Sequence, residues 1–341
     1  MASSSVQKPP MSVDRKLKLG VVIALGLVYI IWGSTYLGIS IADESMPPLL
    51  MAGVRFVIAG VVLYLGCRIA GVPNPTPRQW FSAGVVGICL LVGGNGTVVV
   101  VEQYVPSGVT ALLVALVPMW TVVLLWMRRN GTRPTMRTLV GVIIGLFGVG
   151  LLVLHGGGAG GHFLNPLALL LILSTGAWAW GSLYAQRSEL PASPLMSTAV
   201  EMLTGGVALL GMAVVSGEPG MLAHRTITLR SIYALTYLII FGSLVAYTAF
   251  TWLLKNTSAS LVSTYAYVNP VVAVILGSLL NHEAMSIWSI ASAAIIVAAV
   301  VLITLPKRRK AENVAIERQS STDANQQNES GDLPYAALER R

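Results

Sequence analysis

Long apolar runs alternate with short polar stretches along most of the chain. A spanning helix needs about 20 apolar residues. Ten segments reach that length: 19–41, 47–70, 79–101, 107–127, 137–155, 164–186, 194–216, 230–254, 258–280 and 286–305. The runs lack strict two-residue alternation and are rich in Leu, Ala and Gly, which predicts helices and not barrel strands. The expected fold class is therefore an all-α membrane protein with ten transmembrane helices. Residues 1–18 and 306–341 are polar and are expected to be disordered tails. The first apolar run is too long for a signal-peptide core, and no clear small-residue cleavage site follows, so helix 1 is expected to remain as a span.

Composition agrees. Of 341 residues, 55% are hydrophobic and 11% charged, with a mean hydropathy of +0.73. A soluble domain could not hide that much apolar surface. The net charge of +8 raises the question of nucleic acid. The charges sit in short loops and tails between apolar runs, which is the pattern of topology signals, and no nucleic-acid partner is expected. Lys16, Lys18, Arg68, Arg78, Arg128, Arg129, Arg133, Arg137, Arg187, Lys255 and Lys307–Lys310 fall on one side once ten helices are threaded. The opposite loops carry only Arg225 and Arg230, so both termini are expected in the cytoplasm. Those opposite loops hold Asp43, Glu44, Glu102, Glu218, Glu283 and the four histidines, His155, His162, His224 and His282. No two histidines share helical spacing, and Cys67 and Cys89 fit neither a disulfide framework nor a zinc pattern. No metal and no cofactor are expected.

The chain repeats itself. "WGSTY" at 32–36 returns as "WGSLY" at 180–184, and "PLLMAGVRF" at 48–56 has a weaker echo in "PLMSTAVEM" at 194–202. "VPSGVTALLVALVP" ends at Pro118 and "TSASLVSTYAYVNP" at Pro270. The halves are residues 19–155, holding helices 1–5, and 164–305, holding helices 6–10. Five is odd, so tandem units must enter the membrane from opposite sides, as an inverted repeat around a central cavity.

The stretch "IIWGSTYLGISIADESMPPLLMAGVRFVIAG" (30–60) resembles the first repeat of EamA-type transporters in the drug/metabolite transporter superfamily. "STYAYVNPVVAVILG" (263–277) is similar to their helix 9. The resemblance covers roughly residues 19–305. It implies a ten-helix bundle that exports or exchanges small metabolites, such as amino acids, or drugs. It also implies a cavity between helices 1, 3, 4, 6, 8 and 9.

Candidate site residues follow from polar groups inside apolar runs. Pro118 and Pro270 fall near the middle of helices 4 and 9, at matching repeat positions, and each removes a backbone N–H. Paired interruptions of this kind point to a midplane binding site. Tyr265 and Asn269 share a helix face beside Pro270. They either line a cavity or serve a kink used in packing. Tyr36, Asn95, Tyr184 and Tyr247 are further candidates for solute contact. Helix 4 has Leu113 and Val117 where helix 9 has Tyr265 and Asn269. That lopsidedness suits an amphipathic organic solute better than a bare ion. Arg55 and Glu201 are charges inside spans, at positions the repeat aligns. Glu201 is a candidate coupling group or a structural one, and the depth difference argues against assuming an Arg55–Glu201 ion pair. Gly141, Gly145 and Gly148 predict close packing of helix 5, within or between protomers, so a homo-oligomer stays open. The Gly-rich run 155–161 lacks the context of a phosphate loop and reads as a linker.

The expected function is secondary transport of small organic metabolites or drugs across the cytoplasmic membrane by alternating access. The partners are the solute and lipid. No ATP-binding domain is recognisable. The rival classes are an intramembrane enzyme and a membrane sensor. "HEAMS" at 282–286 lacks a second zinc histidine, no Ser–His pair lies at a convincing depth, and no signalling domain is recognisable. No catalytic residue is therefore expected.

Overall fold

The computed structural model describes residues 11–104, 110, 113–128, 134–155, 166–222, 226–281 and 287–304. The long helices follow the apolar runs: α1 Met11–Asp43, α2 Pro48–Ile69, α3 Pro77–Val101, α4 Val117–Met127, α5 Met136–His155, α6 Pro166–Ala185, α7 Pro194–Val215, α8 Leu229–Asn256, α9 Tyr265–Asn281 and α10 Ile287–Thr304. No strand occurs among the described residues. The chain is an all-helical membrane protein. Within α1, α2, α3, α7 and α8 lie stretches long and apolar enough to cross a bilayer, and α4, α5, α6 and α10 are shorter apolar helices. Apolar side chains such as Leu65, Phe81, Phe147 and Val215 cover the outside, as lipid requires. His162, His224, His282, Glu283, Arg129, Arg133, Arg225 and the C-terminal tail lie outside the described residues.

Two expectations shift. α1 is helical from Met11, so the polar stretch 11–18 extends a helix and is no loose tail. Hydropathy marks where a span ends, not where helical hydrogen bonding ends, and Lys is a good helix former. Pro118 is not in the middle of a continuous helix. It occupies the first turn of α4, after a turn at Ala115 and Leu116, where its missing N–H leaves no gap in the ladder. Pro270 does lie inside α9. The turn there comes earlier, at Ser263 and Thr264, after a short helix, Ala259–Val262.

The α2–α7 pair forms the seam between the halves. Both helices have 22 residues, both begin with proline at the first helical position, and each is followed, just past its C-cap, by a glycine with φ 77, Gly71 and Gly217. Positive φ is nearly free for glycine. Gly60 and Gly206 hold matching positions. A Cβ on Gly60 would lie 3.0 Å from the Leu203 nitrogen, and one on Gly206 2.9 Å from the Val57 nitrogen. Leu203 and Val57 also match, so the contact is close to self-complementary. α3 joins the same seam: a Cβ on Gly87 would lie 2.2 Å from the Glu201 carbonyl oxygen. In lipid, such close approach gains dispersion energy that a hydrophobic effect cannot supply.

Helices 1 and 6 exchange partners across the seam. α1 packs on α8 and α9, and α6 packs on α3 and α4. α5 packs within the protomer, through Gly141 and Gly148 on α10 and Gly145 against the Tyr267 ring. α3 and α8 each contain a π-helical stretch, Ile88–Gly96 and Leu238–Tyr247. The carbonyls there are bonded by the exchanged helices: Ser174 Oγ of α6 donates to the Gly94 oxygen at 3.1 Å, and Trp32 Nε1 of α1 to the Gly242 oxygen at 3.2 Å.

One end of the bundle gathers Arg68, Arg78, Arg187 and Lys255; the other gathers Asp43, Glu44, Glu102 and Glu218. At the acidic end the buried Glu218 carboxylate accepts from the Leu49 and Leu50 nitrogens, at 3.2 and 2.7 Å. It thereby caps the N-terminus of α2, where the helix dipole favours an anion.

The seam yields a stability test. Gly87→Ala should destabilise the detergent-solubilised protein by roughly 1–3 kcal/mol through overpacking. Gly211 on α7, with nothing within 4 Å of a built Cβ, is the control. Melting curves in which both alanine variants match wild type would mean that the seam relaxes at no cost.

Candidate functional site

A cavity opens where α1, α2, α3, α6, α8, α9 and the turn leading into α4 converge. Its water-accessible volume is about 80 Å³, room for several waters at roughly 10–15 Å³ each. Drug-sized ligands occupy pockets of about 300–1,000 Å³, so this conformation is contracted around its centre.

Aromatic rings form the floor. Trp32 meets Tyr265 edge-on, with centroids 4.9 Å apart, and Trp178 edge-on at 5.6 Å. Phe250 lies 5.0 Å from Trp32 and 5.8 Å from Tyr265. Beyond this layer, toward the basic end, a hollow of about 10 Å³ is lined by Thr121, Ser182, Leu254 and Ala259. The rings thus close the cavity toward the basic end.

Polar groups line the walls. Asn95 comes from the π stretch of α3 and Asn269 from α9; both Oδ1 atoms are buried without a hydrogen-bond partner. The indole nitrogen of Trp178 is likewise unpartnered. Tyr36 lies beside Asn269 and faces the Glu102 carboxylate. Glu102 stands just past the end of α3, where burial, with Asp43 beside it, pushes its carboxyl up to about 8. Tyr29 Oη and Thr264 Oγ1 are 2.5 Å apart, tying α1 to the turn before α9.

Of the residues expected from sequence, Tyr36, Asn95, Tyr247, Tyr265 and Asn269 all reach the cavity. Tyr184 does not. Its ring stacks on Trp180 at 5.1 Å, and Trp180 is 45% exposed. Pro118 and Pro270 do not line the cavity, but their neighbours Val117 and Asn269 do. Arg55 and Glu201 form no ion pair. Arg55 lines the cavity and its Nε donates to Ser243 Oγ at 2.8 Å. Glu201 lies behind the cavity wall, accepting from Ser197 Oγ at 2.9 Å and from the Tyr247 hydroxyl at 3.1 Å. Ser243 and Tyr247 are four residues apart on one face of α8, so each charge bonds a different hydroxyl of that face. Helix 2 was absent from the expected lining, yet it contributes Arg55 and Phe56. Thr35, Ser174 and Thr175 also went unnoticed. Their one signal was a small hydroxyl inside an apolar run.

The sequence profile of the EamA-like transporter family matches residues 18–154 and again 165–305. The uncharacterized inner membrane transporter YedA of Escherichia coli K12 is 42% identical over 286 residues, covering 83% of this chain and 90% of YedA. Protein PecM of Dickeya dadantii is 28% identical, over 82% of this chain and 92% of PecM. A solved crystal structure superposes with a TM-score of 0.68 at 20% identity, covering 86% of this chain and 99% of the other; that likeness concerns the fold alone. A profile matched twice over nearly all of the helical chain, with a relative this similar over most of its length, leaves one conclusion: the chain belongs to the EamA-like transporter family.

Proposed function

We propose that the protein is a secondary transporter that exports a small amphipathic organic solute across the cytoplasmic membrane by alternating access. The carrying observation is the cavity itself. It is built by helices of both halves at their crossing point and presents unpartnered Asn95 and Asn269 acceptors above an aromatic floor. Such groups remain buried at a cost unless water or a ligand pairs them. The floor offers apolar area and the amides offer hydrogen bonds, which together describe an amphipathic guest. The export direction follows the family resemblance, and the cytoplasmic membrane follows the naming of the inner membrane relative.

The architecture proposed is ten spans in two inverted five-helix units, 19–155 and 164–305, with cytoplasmic termini. The partner exchange of α1 and α6, the paired π stretches and the matched α2–α7 seam support it. So does the gathering of basic residues at one end of the bundle. Rocking of one unit against the other would then open each end of the cavity in turn.

Reporter fusions after residues 43, 130, 160, 190, 220, 256 and 282 should read out, in, out, in, out, in, out. A cytoplasmic signal at 160 would remove the inverted repeat.

Asn269→Ala and Tyr265→Phe should each lower solute flux in proteoliposomes about tenfold or more, with folded protein still recovered. Tenfold corresponds to about 1.4 kcal/mol, the scale of one hydrogen bond in a dry site. Wild-type flux in both variants would leave these residues with a packing role.

Glu201 is the proposed coupling group, reached from the cavity through the Tyr247 hydroxyl. Glu201→Gln keeps the shape and loses the titratable proton. Accumulation driven by a pH gradient should fail while solute-for-solute exchange persists. Continued gradient-driven accumulation by the Gln variant would remove Glu201 from the coupling path.

A further inference from the structure

Arg55 is 3% exposed and stands inside the 22-residue apolar helix α2, seven residues on from Pro48. A buried guanidinium normally has a carboxylate beside it, because an unpaired charge in such a place is costly. Arg55 has none among the described residues. Its Nε is held by Ser243, and its guanidinium carbon lies 4.8 Å from the Phe56 ring centre. Its Nη groups meet no protein acceptor among the described residues. Glu201, which could have served, is engaged instead by Ser197 and Tyr247.

The geometry also shows a seat built for the cation. A Cβ on Gly242 would come within 2.7 Å of Nη2, so a side chain there would push the guanidinium from its present place. Gly242 and Ser243 belong to the π stretch of α8, whose backbone is fixed from the other side by Trp32. Position, side-chain support and free donors together leave a fork aimed at the cavity above the aromatic floor.

From this we infer that Arg55 is the anchor for a carboxylate on the transported solute, making the protein a carrier of small monocarboxylates with an apolar body. The fork of a guanidinium matches a carboxylate with two parallel hydrogen bonds. The cavity has room for waters that would solvate the cation when no solute is bound; the carboxylate would replace them and supply the missing counter-charge. The apolar body rests on the Trp32, Trp178 and Tyr265 rings. This inference rests on the transporter reading above and names the solute class for its cavity.

The test uses three probes of one shape: 3-phenylpropionate, its neutral amide, and 3-phenylpropylamine. Binding to the full-length protein in nanodiscs is read by equilibrium dialysis, with empty nanodiscs subtracted. Wild type should bind the acid about tenfold or more tighter than the amide, with the amine weakest. Arg55→Gln should bring the acid-to-amide ratio to about one, and Arg55→Lys should leave it in between. Gly242→Ala keeps the charge but displaces it, and should lower the ratio several-fold even where Arg55→Gln fails to fold. Equal binding of acid and amide by wild type would overturn the inference and leave the amphipathic cavity standing. An acid preference that survives both Arg55→Lys and Gly242→Ala would also overturn it. So would chloride alone competing as well as the acid, since the site would then be a simple anion seat. Absence of binding by all three probes would overturn both the inference and the reading of this cavity as the solute site.

Discussion

Two carbonyl groups buried inside the bundle, those of Gly94 and Gly242, set much of the arrangement. A π-helical stretch turns backbone acceptors away from the regular ladder, and hydrocarbon provides nothing to meet them. Each is met by a side chain from the other half, Ser174 and Trp32. That requirement keeps α6 against α3 and α1 against α8, and so forces the halves to interlock. The cavity is the space left at the interlock. Its polar lining follows from the same cause, because the stretches that need partners also carry Asn95 and Tyr247 to the centre.

The helices were legible in the sequence because hydropathy over about 20 residues is a strong signal. The π stretches were not, since "ICLLVGGNG" has the composition of any greasy helix. Its Gly-Gly-Asn-Gly run was the one available hint. The repeat was legible, but the louder rhyme set the wrong register in α6. "WGSTY" and "WGSLY" pair Trp32 with Trp180 and Tyr36 with Tyr184. The weaker echo, which aligns α2 with α7, pairs Trp32 with Trp178, because both precede the proline opening the next helix by the same interval. Trp32 and Trp178 are the rings that meet at the floor. Two residues of slippage turn a helix by more than half a circle. That rotation is why Tyr184 stacks on an outward Trp180 while Tyr36 reaches the cavity.

The two intramembrane charges show a different limit. Their alignment in the repeat was visible, but their hydrogen-bond partners depend on which third helix packs beside both. α8 gives each charge its own hydroxyl, Ser243 for Arg55 and Tyr247 for Glu201. A charge pair that annihilates itself can do little for a solute or a proton. Charges that each bond a separate hydroxyl of one helix retain a use, and a shift of that helix would be felt by both.

Glu218 carries a consequence for the mechanics of the molecule. It belongs to the segment following α7 yet holds the leading N–H groups of α2, and the glycine seam joins the same two helices along their length. Sliding α2 along α7 would strand a buried carboxylate and two amides together, the kind of loss that costs several kcal/mol. The pair therefore behaves as a spar with a locked end fitting. In the rocking motion proposed above, the spar would be the fulcrum and the helices around it the lever arms.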